Sequence, residues 1–206
     1  MDIKRFKKKP LMGILRGIES GSLGPLIETI LLSGLETIEI TMNTKNAPQL
    51  IRQAQKLSRG KLMIGAGTVL SMDNLITALD YGATFIVMPV FVKEVIGYCL
   101  KKRIPVFPGA LSPQEIYNAW NEGVTMVKVF PAKVFGPDYF NELKGPFNDI
   151  ELLACGGVTP ENLKEYFASG ASAVAFGSNV FKKAWLEAGS FESIGQEIKK
   201  YLTFFK

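Results

Sequence analysis

Thr125-Met126-Val127-Lys128-Val129-Phe130-Pro131 is a short apolar, β-branched run, preceded by Glu122-Gly123 and stopped by a proline. It reads as a buried strand. A lysine inside such a run is unusual, because lysine is almost never fully buried without a partner. Burial disfavours a charged amine, so a lysine here is a candidate nucleophile able to form a Schiff base with a carbonyl substrate. The competing reading is structural: a stem that snorkels from a strand end, or an amine paired with a buried carboxylate.

Working outward, seven further runs share its character: Leu11–Leu15, Thr37–Thr41, Leu62–Gly65, Thr84–Met88, Pro105–Phe107, Glu151–Ala154 and Ala173–Phe176. Successive starts fall about 21 to 26 residues apart, room for a strand, a loop and a helix of three turns or so. Ser33-Gly34, Tyr81-Gly82, Glu122-Gly123 and Ser169-Gly170 each close a helical pattern just before a strand, as a glycine C-cap does. Ser71-Met72-Asp73, Ser112-Pro113 and Thr159-Pro160 are helix starts, the prolines fitting a first turn. Eight such units with no linker predict one α/β domain, a (β/α)8 barrel over residues 1–206, at the short end for that fold. The runner-up is an open doubly wound sheet. Against it, the first strand ends in Gly13-Ile14-Leu15-Arg16-Gly17 rather than a Gly-x-Gly-x-x-Gly turn.

Composition narrows the chemistry. The chain has no histidine, which removes three-histidine zinc sites, the two-histidine iron triad and Ser-His-Asp catalysis together. Proton transfer falls to Glu, Asp, Lys, Tyr, Cys or water. Cys99 and Cys155 are too few and too far apart for a disulfide framework or a metal knuckle. No apolar stretch approaches the roughly 20 residues of a membrane span, and Met1 to Lys9 is basic without the apolar segment of a signal peptide. A cytoplasmic enzyme with no membrane partner is expected. The net charge of +5 owes much to Lys4, Arg5, Lys7, Lys8 and Lys9, expected to be a solvated lead-in to the first strand. No basic stripe interleaved with aromatics points to nucleic acid.

Barrel geometry gives the residues addresses. Side chains alternate along a strand, so Met126, Lys128 and Phe130 share one face and Val127 and Val129 the other. The β-branched pair suits packing against the outer helices, which turns Lys128 into the lumen. On strand two, Ile38 and Ile40 suit the outer face, and Thr37, Glu39 and Thr41 turn inward. An amine and a carboxylate thus converge in the barrel, near the C-terminal halves of their strands, where barrels build active sites. They form either a catalytic pair or a structural ion pair. Strands seven and eight end in Gly156-Gly157 and Gly177-Ser178, the two loops from which barrels commonly make a phosphate cup of backbone N–H groups. Glycine there leaves room for phosphate to approach the backbone. Gly65-Ala66-Gly67-Thr68 after strand three is either a carboxylate-binding turn or a plain strand-ending loop.

These residues together carry a resemblance. Glu39 in Ile-Glu-Ile-Thr, Gly-Ala-Gly-Thr-Val-Leu at 65–70, Pro89, Pro108-Gly109, Lys128 in Val-Lys-Val-Phe-Pro, Gly156-Gly157 and Gly177-Ser178 resemble the 2-keto-3-deoxy-6-phosphogluconate (KDPG) aldolase family. That family includes the 4-hydroxy-2-oxoglutarate (KHG) aldolases and the 6-phosphogalactonate branch. The resemblance implies a class I aldolase in a (β/α)8 barrel, commonly a homotrimer, with no metal and no cofactor. Its substrate would be a small phosphorylated keto acid, split into pyruvate and glyceraldehyde 3-phosphate. It further implies Lys128 as the Schiff-base lysine and Glu39 as the general acid/base. Thr68 would hold the pyruvyl carboxylate, Phe130 and Pro89 would wall the reacting carbons, and Arg16 would contact a substrate anion. Gly156, Gly157, Gly177 and Ser178 would cradle the phosphate.

Two positions bear on substrate choice. Asn43 stands where the gluconate branch often has a carboxylate-binding arginine, and Cys155 where it has a threonine that contacts the sugar chain. The galactonate branch resembles this chain at Asn43, in Phe135-Gly136-Pro137 and in Gly-Gly-Val-Thr-Pro-Glu-Asn-Leu, but tends to have valine at the cysteine position. The C4 epimer therefore stays open, and Cys155 itself reads as a small buried apolar residue. Two rival classes use the same residues: a metal-independent phosphosugar isomerase or epimerase with Glu39 as base, and a non-catalytic phosphate-binding barrel.

Overall fold

The computed structural model describes residues 1–205. Its sheet has nine short parallel strands: β1 (Leu11–Leu15), β2 (Thr37–Thr41), β3 (Met63–Gly67), β4 (Ile86–Val87), β5 (Val106–Phe107), β6 (Gly109–Ala110), β7 (Val127–Val129), β8 (Leu152–Cys155) and β9 (Ala173–Phe176). Their order is β5-β4-β3-β2-β1-β9-β8-β7-β6, so the two ends of the sheet, β5 and β6, are joined by Pro108 alone. Proline cannot donate to a ladder, and the fifth barrel strand is interrupted there. It nevertheless closes the barrel. The Pro105 and Phe107 carbonyls accept from Ile86 and Met88 on one side, while the Val106, Pro108 and Ala110 carbonyls accept from Thr125, Lys128 and Phe130 on the other. Nine ladder segments thus make the expected eight-stranded (β/α)8 barrel, and the open-sheet alternative fails.

The outer ring follows the punctuation of the sequence. Gly34, Gly82, Gly123 and Gly170 all take left-handed φ between 86° and 101°, where a side chain is strained. Ser71 accepts from the Asn74 amide, and Ser112 with Glu115 forms a capping box ahead of Pro113. Thr159-Pro160 does not start a helix: the Thr159 amide donates to Asn162 Oδ1, and the helix begins at Leu163. Strand three also runs later than expected, through Gly67, so Gly65 and Gly67 lie inside a strand rather than in a loop. A Cβ at Gly65 would strike the Phe85 ring, and one at Gly67 would stand 2.6 Å from Glu39 Oε1. The glycines leave the lumen to those two side chains.

The N-terminus departs from expectation in part. Lys4, Lys7, Lys8 and Lys9 are exposed as expected, but Ile3–Lys8 form helix α1 rather than a plain lead-in. Phe6 is fully buried among the lumen residues, edge-on to Phe107 at 6.1 Å between ring centroids. Arg5 and Lys9 pair with Glu36, and Lys7 with Glu151, the residues just before β2 and β8. The helix therefore plugs the N-terminal mouth of the barrel, and the opposite mouth is left to the site. Phe6→Ala would open a cavity under the lumen and should cost about 3–5 kcal/mol, read as a lowered denaturation midpoint in urea. An unchanged midpoint would show that α1 is not part of the core.

Candidate active site

Alternation decides the two sides of each strand. Val127, Val129, Ile38 and Ile40 pack outward in the helix-facing core, whereas Met126, Phe85, Phe107 and Leu153 fill the lumen. Lys128, 5 % exposed, and Glu39, 1 % exposed, are the charged side chains buried with them. They do not form the structural ion pair that was one reading, because the salt bridges among the described residues all lie elsewhere. Instead Glu39 Oε2 is buried with no hydrogen-bond donor from the protein. A buried carboxylate oxygen left free in this way is costly unless a bound molecule uses it. Lys128 Nζ sits 5.1 Å from the centre of the Phe130 ring, at the mouth.

The surroundings tune the acid groups. Burial pushes the Glu39 carboxyl above its ordinary value, with Lys128 and then Arg16 pulling against that. Burial likewise raises the Cys155 thiol, opposed by Lys128. A protonated thiol packed among lumen side chains is a filler rather than a nucleophile.

A cavity of about 300 Å³ opens at the C-terminal ends of the strands. Its walls include Arg16, Lys128, Phe130, Cys155, Gly156, Gly157, Gly177 and Ser178, eight of the residues singled out above. Glu39, Asn43, Thr68 and Pro89 are not on these walls. Glu39 lies within β2, and the other three follow β2, β3 and β4, two, three and four strands round the barrel from β9. Thr68 holds a left-handed φ of 56°, a strained geometry for a β-branched residue of the kind that clusters at functional sites.

The reason for glycine at two positions differs from the expectation. Gly156 and Gly157 take φ of 93° and 87°, and a Cβ on Gly157 would collide with the Lys133 side chain. The turn itself requires glycine there, with or without an anion to accommodate. Ile14, Asn179, Phe181 and Lys183 also line the cavity and were not picked out from the sequence. Asn179 Nδ2 donates to the Val158 carbonyl at 3.3 Å and ties the β9 turn to the β8 turn. Nothing local marks such a residue, since its partner lies 21 positions away. Among the described residues, no group of three or more Cys, Asp and Glu side chains is placed to hold a metal ion, and no helix is long and apolar enough to cross a membrane.

Comparison with known proteins bears on this site. Residues 3–197 match the family described as Aldolase: KDPG and KHG aldolase. The chain belongs to that family. It is 33 % identical to the 2-dehydro-3-deoxy-6-phosphogalactonate aldolase of Escherichia coli (strain K12), over 85 % of this chain and 86 % of that one. It is 32 % identical to the 2-dehydro-3-deoxy-phosphogluconate aldolase of Pseudomonas aeruginosa, over 88 % of this chain and 82 % of the relative. A solved native KDPGal structure superposes with a TM-score of 0.88 at 31 % identity, covering 94 % of this chain and 93 % of that one. The KDPG and KHG aldolase family consists of carbon–carbon lyases, so the chain is an aldolase rather than an isomerase or a non-catalytic barrel.

Proposed function

We propose that this aldolase cleaves a 2-keto-3-deoxy-6-phosphosugar acid, the gluconate or galactonate epimer, to pyruvate and D-glyceraldehyde 3-phosphate through a Schiff base on Lys128. It also takes 4-hydroxy-2-oxoglutarate, giving pyruvate and glyoxylate. The observation that carries this reading is a buried amine on the wall of a cavity that two glycine turns also line, with a buried carboxylate, its Oε2 unpartnered, in the same lumen. The Lys128 amine adds to the keto carbon, and loss of water gives an iminium that serves as an electron sink. Glu39 takes the proton of the C4 hydroxyl as the C3–C4 bond breaks, leaving an enamine and the aldehyde. Burial, which raises Glu39, makes it a stronger base than an ordinary carboxylate. Protonation of the enamine at C3 and hydrolysis then release pyruvate and free Lys128. Arg16 and Thr68 bind the carboxylate end with Asn43 beside them, Phe130 and Pro89 flank the reacting carbons, and Cys155 borders the sugar chain. The amides around Gly156, Gly157, Gly177 and Ser178 receive the phosphate. Pyruvate release assayed with each C4 epimer tests the reading, and release from neither would overturn it.

The phosphate end has its own test. Ser178 is exposed on the cavity wall, so Ser178→Asp adds a negative charge there with little risk to the fold. KM for the phosphorylated substrate should rise about tenfold or more through like-charge repulsion, while KM for 4-hydroxy-2-oxoglutarate changes far less. Equal effects on both would put the phosphate elsewhere.

The enzyme is further proposed to work as a homotrimer in the cytoplasm. Leu70, Val90, Phe91, Val134 and Phe135, which follow β3, β4 and β7, are large apolar side chains left exposed at the site end of the barrel. Light scattering on the purified protein measures the assembly, and a monomer would refute it.

A further inference from the structure

Arg16 lies between Leu15, the last residue of β1, and Gly17, whose φ of 65° turns the chain away from the strand. Both neighbours are held by the same two side chains. The Gly17 amide donates to Thr44 Oγ1 at 2.9 Å, the Thr44 and Thr41 hydroxyls share a 3.0 Å hydrogen bond, and Thr41 Oγ1 makes a long 3.5 Å contact as donor to the Leu15 carbonyl. A hydroxyl has one proton to give. With Thr41 donating to Leu15, the Thr44 proton goes to Thr41 Oγ1, and Thr44 accepts from Gly17. Every polar atom of the bracket is then used.

Both threonines are buried, so water does not compete for these bonds. Thr44 is itself fixed, its amide donating to the Thr41 carbonyl and its carbonyl accepting from the Ala47 amide at the start of the next helix. Thr41 stands two residues beyond Glu39 on the same inward face of β2. One strand thus carries the proposed base and, through two hydroxyls, the peptide frame of the arginine on the neighbouring strand.

We propose that Thr44, together with Thr41, is a positioning residue that sets where Arg16 stands relative to Glu39 and the substrate anion. This rests on the reading of Arg16 as a substrate contact. Neither threonine lines the cavity, and both buried hydroxyls are spent on the bracket, so their effect passes through Arg16. The influence of Arg16 on the Glu39 carboxyl offers a second readout, since an arginine that drifts away releases Glu39 upward.

The test is a set of variants assayed for KM, kcat and the pH dependence of kcat/KM on the phosphorylated substrate. Arg16→Gln supplies the reference loss. Thr44→Val keeps the shape and deletes the acceptor. It should raise KM about tenfold with kcat little changed, and move the acidic limb of the kcat/KM profile to higher pH. Thr44→Ser, which keeps the hydroxyl, should restore both. Thr41→Val cuts the other arm of the bracket and should repeat the KM rise even if Thr44→Val folds poorly. In the Arg16→Gln background, Thr44→Val should add nothing, because the residue it serves is gone. If Arg16→Gln raises KM but Thr44→Val and Thr41→Val do not, or if the effects of Arg16→Gln and Thr44→Val simply add, the positioning role is wrong. If Arg16→Gln is itself silent, the substrate-contact reading falls and takes the inference with it.

Discussion

Lys128→Ala should abolish the covalent trapping of pyruvate by borohydride and reduce turnover by on the order of 10⁴-fold or more. The wild-type enzyme should gain the mass of one reduced pyruvyl group, on the peptide that contains Lys128. Few side chains could substitute for it. Among the cavity walls the other amine is Lys183, which is 88 % exposed and reaches back to Glu187 at 3.5 Å. It lacks the desolvated lumen around Lys128, where Cys155 and Phe130 crowd the amine. Arg16 cannot form an imine. Trapped pyruvate in the Lys128→Ala protein, on Lys183 or anywhere else, would overturn the assignment. The substitution removes a buried cation that opposes the desolvation of Glu39, so a circular dichroism spectrum matching wild type is needed before the kinetics are compared.

Glu39→Gln should lower turnover by roughly 10²–10⁴-fold, the usual worth of general acid–base catalysis, while pyruvate trapping on Lys128 persists. The two variants thus separate imine formation from carbon–carbon cleavage. The same substitution carries a stability signature whose sign follows from burial. The Glu39 carboxyl is raised in the folded protein above its ordinary value of 4.5. A raised group favours folding below that ordinary value and loses this contribution as pH rises through the folded one. Glutamine does not titrate. The melting temperature of Glu39→Gln, measured against wild type, should therefore climb as the pH is taken up from about 4 towards neutrality. A difference that stays flat, or falls, would mean the carboxylate is well accommodated in the lumen. A base kept at a cost to the fold is what a functional site is expected to contain.

Much of this is legible in the sequence. The faces of Lys128 and Glu39 follow from period-two alternation against β-branched neighbours, and a strand of three to five residues is enough to express it. Phe6 was not legible. One phenylalanine among Lys4, Arg5, Lys7, Lys8 and Lys9 has no periodic companion, and only the apolar floor of the barrel gives it a place. The segment holding Gly65 and Gly67 reads as a binding turn or a strand-ending loop, and its place in β3 is not legible, because a bare lumen position and a loop glycine look alike until Glu39 and Phe85 are seen to fill the space.

The sequence by itself determined the repeat, the helix caps other than that at Thr159-Pro160, the inward faces of β2 and β7 and, with histidine absent, the kinds of group left to move protons. Those are properties of a few neighbouring residues, whose spacing alone fixes their direction. Tertiary structure decided which loops share a cavity, why Gly157 must be glycine beside Lys133, that Glu39 and Lys128 are not bonded to one another, and that Thr41 and Thr44 bracket Arg16. Each of these depends on closing the barrel, which brings β1, β2 and β7 to β9 around one lumen from positions more than a hundred residues apart. No local pattern records a distance of that kind.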